Sequence, residues 1–138
     1  MAGYSSKSLA DKLGIKPGTV VTTLAAPPAY IRLLQPVPAD VTFVNRLGKQ
    51  ARFIHCFVTR QADLEKEFPA LARSLADDGM AWISWPRKAA KTDTDLTEDV
   101  VRKLGLRAGL VDVKVCAVDD VWSGLKLVRR LSRRKRPR

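Results

Sequence analysis

The fold class this sequence predicts is α/β. It should have a mostly parallel sheet of about six strands, helices on both faces and an antiparallel C-terminal hairpin. Two observations carry that expectation. Residues 53–86 read as strand, helix, strand: FIHCFV, a helical run to Leu75, then GMAWISWP. Such a βαβ unit needs a parallel sheet around it. The second observation is VDVKVCAV and VWSGLKLV joined across Asp119-Asp120, two β-rich runs separated by a turn.

Taken in order, residues 5–13 predict a short helix capped by Ser5 or Ser6 and ended by Gly14 in the left-handed conformation. Pro17-Gly18 is a turn, and TVVTTL at 19–24 is a β-branched strand. Ala25-Ala26-Pro27-Pro28 breaks it. A short helix at 29–34 follows, with Pro28 suited to its first position. VTFV at 41–44 is a short strand, and 45–50 is a polar loop.

Within the central unit, Phe53, Ile54, Cys56, Phe57 and Val58 form a nearly continuous apolar run, as in a strand covered on both faces. Thr59 is placed to cap the next helix. Leu64, Phe68, Leu71 and Leu75 make its apolar stripe. Pro69 inside that stripe predicts a kink or restart. Asp77-Asp78-Gly79 reads as a stop, 80–85 as the second strand, and Pro86 as its end.

Residues 87–93 form a cationic loop. A helix at 95–104 follows, capped by Thr94 or Asp95, with Gly105 and Gly109 bracketing its exit. The strand at 110–118 puts Val111, Val113 and Val115 on one side, and Asp112 and Lys114 on the other.

The 138 residues predict one domain, at 1–130, and a basic tail, at 131–138, that is expected to be disordered. Of the net charge of +11, seven charges come from Arg129, Arg130, Arg133, Arg134, Lys135, Arg136 and Arg138. The body therefore carries the remaining +4, and the high pI belongs mostly to the tail. Through Arg133, Arg134, Lys135 and Arg136 that tail is expected to bind nucleic acid weakly, without sequence preference. No run is long enough for a membrane span, and the start lacks a signal-peptide core. Cys56 and Cys116 lack metal or redox spacing and read as reduced core residues, so a cytoplasmic location is expected.

The alternation of strands and helices closed by a hairpin resembles the Rossmann-like sheet of methyltransferases. The segment LADDGMAWISWP resembles their fifth strand. The chain also resembles an uncharacterised family of small bacterial proteins, a domain of unknown function. Gly3-Tyr4-Ser5, the turn at 13–18, Ile54 to Val58, Trp82 to Lys88, Thr94 to Val100 and the ending Trp122-Ser123-Gly124-Leu125-Lys126-Leu127-Val128 carry that resemblance. It implies a methyltransferase-like fold and brings no established activity.

An S-adenosylmethionine enzyme of that kind uses a glycine-rich turn after its first strand, so that the backbone can approach the cofactor. Here the turn is Leu24-Ala25-Ala26-Pro27-Pro28, and Asn45 stands where an acid usually ends the second strand. Thr59-Arg60-Gln61 replaces the Asn-Pro-Pro motif of amino-methylating members. The expectation is therefore a non-catalytic binding or regulatory domain with no cofactor and no measurable S-adenosylmethionine binding. The alternatives are a divergent methyltransferase or nucleotide-ligand enzyme, and a nucleic-acid-associated protein.

No residue is assigned a catalytic role and no metal-ligand spacing is present. The single histidine, His55, is expected to be a core imidazole bonded to a carbonyl. Because ligands of parallel sheets bind at the strands' C-terminal ends, one rim is the candidate site. It comprises Trp85, Arg87, Lys88, Asp119, Asp120, Trp122 and Tyr30, and would suit an anionic ligand or an acidic protein segment.

Overall fold

The computed structural model describes residues 7–130. Ser5, Ser6 and the basic tail expected at 131–138 lie outside the described residues. Six strands form one sheet in the order β2-β1-β3-β4-β6-β5. They are β1 (Val20–Leu24), β2 (Thr42–Val44), β3 (Ala51–Phe57), β4 (Leu75–Pro86), β5 (Leu110–Ala117) and β6 (Trp122–Arg129). The pairs β1–β2, β1–β3 and β3–β4 are parallel, while β4–β6 and β5–β6 are antiparallel. The expected fold class stands. The strand order reverses beside β1, which opens a crevice between the ends of β1 and β3.

Two apolar layers sandwich the sheet. On one face α3 (Gln61–Ser74) and α4 (Glu98–Arg107) bury Leu64, Phe68, Leu71, Val101 and Leu104 against Ile54, Cys56, Ile83, Leu125 and Leu127. On the other, α1 (Leu9–Leu13) and α2 (Tyr30–Leu34) bury Leu13, Tyr30 and Leu34 against Val21, Phe53, Phe57 and Trp82. The Trp82 indole N–H donates to the Leu13 carbonyl at 2.8 Å, which pins the end of α1 to the sheet. Among the described residues, no helix is long and apolar enough to cross a membrane.

Several local expectations are corrected. Ser8 caps α1, accepting the Asp11 amide at 3.1 Å. Gly14 ends that helix at φ 91°, as anticipated. Helix α2 starts at Tyr30 with Ala29 in the cap position, so Pro28 lies before the helix. Thr59 does not cap α3. The Gln61 amide donates to Asp95 Oδ1 at 2.7 Å, and the Thr59 carbonyl accepts from Thr94 Oγ1 at 2.6 Å. A distant loop thus supplies the cap.

Pro69 sits inside an uninterrupted α3. Thr97 caps α4 through the Val100 amide, and Gly105 lies within α4, where its missing side chain leaves room for Leu127. Asp77-Asp78-Gly79 belongs to β4 rather than to a turn. Ala51 pairs with Leu75 and Phe53 with Met80, so the extra residues bulge. A second bulge between Asp112 and Lys114 breaks the alternation expected of β5, and Val113 and Val115 stand exposed.

Candidate functional site

The parallel strands carry their C-terminal ends to one edge, and the β5–β6 turn joins them there because β5 runs parallel to β4. After Leu24 the backbone turns through Ala25 at φ 58°, the left-handed region usually left to glycine. Alanine holds it at a cost of roughly 1–2 kcal/mol. Pro27 then accepts the Tyr30 amide at 3.0 Å, launching α2 away from the edge.

A groove of ≈ 530 Å³ opens where the strand order reverses. Its walls are Leu24 at the end of β1 with Ala25 after it, Asn45 after β2, Cys56 to Thr59 at the end of β3, and Trp122. Asp63, Lys66 and Glu67 of α3 complete it. Leu64 and Phe68 face the core, which turns Asp63 and Glu67, four residues apart, along the flank of α3 beside β3. The groove therefore combines an amide, two carboxylates, an ammonium and an indole. Burial, reinforced by nearby Glu67, pushes the Cys56 thiol up to about 12, so it stays protonated.

A second cavity of ≈ 660 Å³ lies beyond the end of β4, lined by Trp85, Arg87, Lys88, Thr92, Thr94, Thr97, Glu98 and Ser123. The loop between the two cavities is tied down at three points. Arg60 pairs with Asp93 at 2.6 Å, alongside the Thr94–Thr59 and Asp95–Gln61 bonds.

The structure brings together most of the rim read from the sequence. The Arg87 amide donates to the Val121 carbonyl at 2.7 Å, and its guanidinium to the Asp119 carbonyl at 3.3 Å. The Asp119 carboxylate accepts the amides of Val121 and Trp122, both at 2.8 Å, so it builds the turn rather than meeting a ligand. Trp122 is half-buried and meets Phe57 edge to face at 5.0 Å. Trp85 is buried, whereas Lys88 and Asp120 are exposed.

Tyr30 is not on the rim. It is 2% exposed, and its hydroxyl lies 2.8 Å from His55 Nδ1. His55 Nε2 lies 2.7 Å from Ser84 Oγ, so the imidazole bridges two hydroxyls instead of a carbonyl. It stacks on Phe57 at 4.3 Å. Burial pushes His55 down to about 3 and Tyr30 above its ordinary value, which keeps both neutral. Gly124 makes room for this chain: a side chain there would meet Trp82 at 3.2 Å and Ser84 Oγ at 3.4 Å.

No family model matches the chain, and no curated protein matches it. Solved structures do. A putative type 11 methyltransferase from Sulfolobus solfataricus superposes with a TM-score of 0.62 at 15% identity, over 93% of each chain. An S-adenosylmethionine-dependent methyltransferase from Aquifex aeolicus gives 0.55 at 13% identity, over 86% of each. Magnesium protoporphyrin IX methyltransferase from Synechocystis, solved with S-adenosylhomocysteine, gives 0.61 at 15% identity, over 88% of this chain and 78% of that one. The fold is a methyltransferase-like Rossmann fold. The expectation of a non-catalytic domain is corrected by these neighbours, which are themselves methyltransferases, some holding S-adenosylhomocysteine.

Proposed function

We propose that the protein is a divergent S-adenosylmethionine-dependent methyltransferase, with the cofactor in the groove between the ends of β1, β2 and β3. One observation carries the reading: the groove's donor set matches the cofactor on a fold shared with cofactor-bearing methyltransferases. The cofactor presents an ammonium, a carboxylate, two ribose hydroxyls and an adenine ring. Asp63 and Glu67 would take the ammonium, Lys66 the carboxylate and Asn45 the hydroxyls, with Trp122 beside them. Ala25, by adopting the left-handed conformation, gives the backbone the course that glycine gives it elsewhere, and the absent glycine turn does not close the groove.

The bound cofactor supplies an electrophilic methyl group on a sulfonium. The chain's own residues do the rest. Lys88 and Arg87, in the adjoining cavity, would bind an anionic acceptor and orient it toward the groove. The strapped loop between the cavities fixes their spacing. His55 takes no proton from the acceptor, being buried and occupied on both nitrogens. We also assign the chain to the uncharacterised bacterial family it resembles and place it in the cytoplasm, a reading supported by its two free thiols.

Calorimetric titration with S-adenosylhomocysteine tests the proposal. Saturable one-to-one binding is expected, weakened about tenfold by Asp63→Ala or Lys66→Ala, as for loss of one charge-assisted contact. No heat at millimolar ligand, with the protein folded, overturns it.

A further inference from the structure

The connection from β2 to β3 is unusually short. Parallel strands of one sheet are normally joined by a dozen or more residues, usually including a helix. Here residues 45–50 cross over β1 on the α3 side of the sheet. Leu47 packs against the α3–α4 core, and Ser74 Oγ donates to the Gly48 carbonyl at 2.5 Å. Among the described residues no helix covers this half of that face. Val20 is 50% exposed and Val44 41%. They floor a groove of ≈ 670 Å³ that shares no lining residue with the cofactor groove.

The rim of this groove is cationic. Arg46, Lys49 and Arg52 line it, and no carboxylate does. Arg46 and Lys49 make no ion pair among the described residues, and Arg52 approaches Asp78 only at 3.7 Å, both side chains being exposed. An apolar floor inside a polar rim is the anatomy of a protein-binding patch. The chain's own outer segments do not match it: 1–6 and 131–138 contain no aspartate or glutamate, and the latter is strongly basic.

We propose that this groove docks an acidic segment of a partner protein. The segment's apolar side chains cover Val20 and Val44, and its carboxylates meet Arg46, Lys49 and Arg52. It completes the helical layer that the short crossover leaves unfinished. The proposal does not depend on the methyltransferase reading.

The test uses the full chain and a fluorescein-labelled synthetic peptide of leucine and glutamate, patterned so that the leucines share one face. The control peptide has the same composition, scrambled to scatter the leucines. Anisotropy should show binding of the patterned peptide, weakened about tenfold or more by the double substitution Arg46→Glu/Lys49→Glu. Val20→Gln, at an exposed position, should weaken it too without unfolding the protein. Amide shifts on titration should centre on Val20, Val44 and Leu47. Equal binding of the two peptides, or unchanged binding by the charge-reversed protein, overturns the proposal. So does sedimentation showing a dimer that the charge reversal dissolves, which would make a second copy the occupant. A DNA duplex that displaces the peptide from these residues also overturns it.

Discussion

His55 is the only histidine in the chain, so its burial has a clean thermodynamic signature. In the folded protein it is 0% exposed, held between Tyr30 and Ser84, and pushed down to about 3 by desolvation. In the unfolded chain it titrates near 6.5. Acid therefore protonates the unfolded state first. The stability that depends on a neutral His55 is complete above about pH 6.5 and is lost as pH falls from there toward 3. The slope is about 1.4 kcal/mol per pH unit, so roughly 2 kcal/mol disappears between pH 7.5 and pH 5. That is a large share of the roughly 5–15 kcal/mol typical of a domain. Carboxylic acids and α-amines in general have reference values outside this window. Urea unfolding at half-unit pH steps should show the decline in the wild type and a nearly flat line in His55→Gln, whatever its absolute stability. A flat wild-type curve would refute the reasoning, because it would mean that the imidazole reaches water or a counter-charge in the native state.

Three further outcomes follow from particular contacts. Gly79→Ala places a Cβ 2.8 Å from the Ala51 carbonyl oxygen, at the bulge where β3 and β4 meet. Neither backbone can yield cheaply, so a loss of about 1–3 kcal/mol is expected in chemical denaturation. Asp95→Ala removes the acceptor of the Gln61 amide, which should cost about 1 kcal/mol and speed hydrogen exchange at the start of α3. Lys88→Ala, at an exposed position, should leave stability unchanged and raise KM for an anionic methyl acceptor about tenfold, with kcat altered less; a change confined to kcat contradicts that role.

The sheet was legible because its central strands β3 and β4 carry nearly continuous apolar runs, its outer strands are β-branched, and its longer helices carry a stripe. Leu64, Phe68 and Leu71, and separately Val101 and Leu104, face the core as their spacing requires. What the sequence hid were interactions between distant positions. Nothing local marks Asp95 as the partner of Gln61, thirty-four residues away, or Tyr30 and Ser84 as the two neighbours of His55. Tyr30 was misread for the same reason: leaving β1 near the rim does not fix which way the ring turns, and α2 carries it inward. Asp77-Asp78-Gly79 has the composition of a turn, but its backbone is used in a bulged strand. In the proposed cofactor groove, Asn45 stands out in the sequence by its place after β2, whereas nothing in the sequence reading singles out Asp63, Lys66 and Glu67. Their four-residue spacing beside the end of β3 was the available signal.

The proposed place of the cofactor, between the ends of β1, β2 and β3, is tested by titrating isotope-labelled protein with S-adenosylhomocysteine and following its amide resonances. Saturable shifts are expected at Ala25, Ala26, Asn45, Thr59 and the first turns of α3, with Val20, Arg46 and Lys49 still. Resonances that do not move at millimolar ligand, or shifts confined to a different part of the protein, would contradict it.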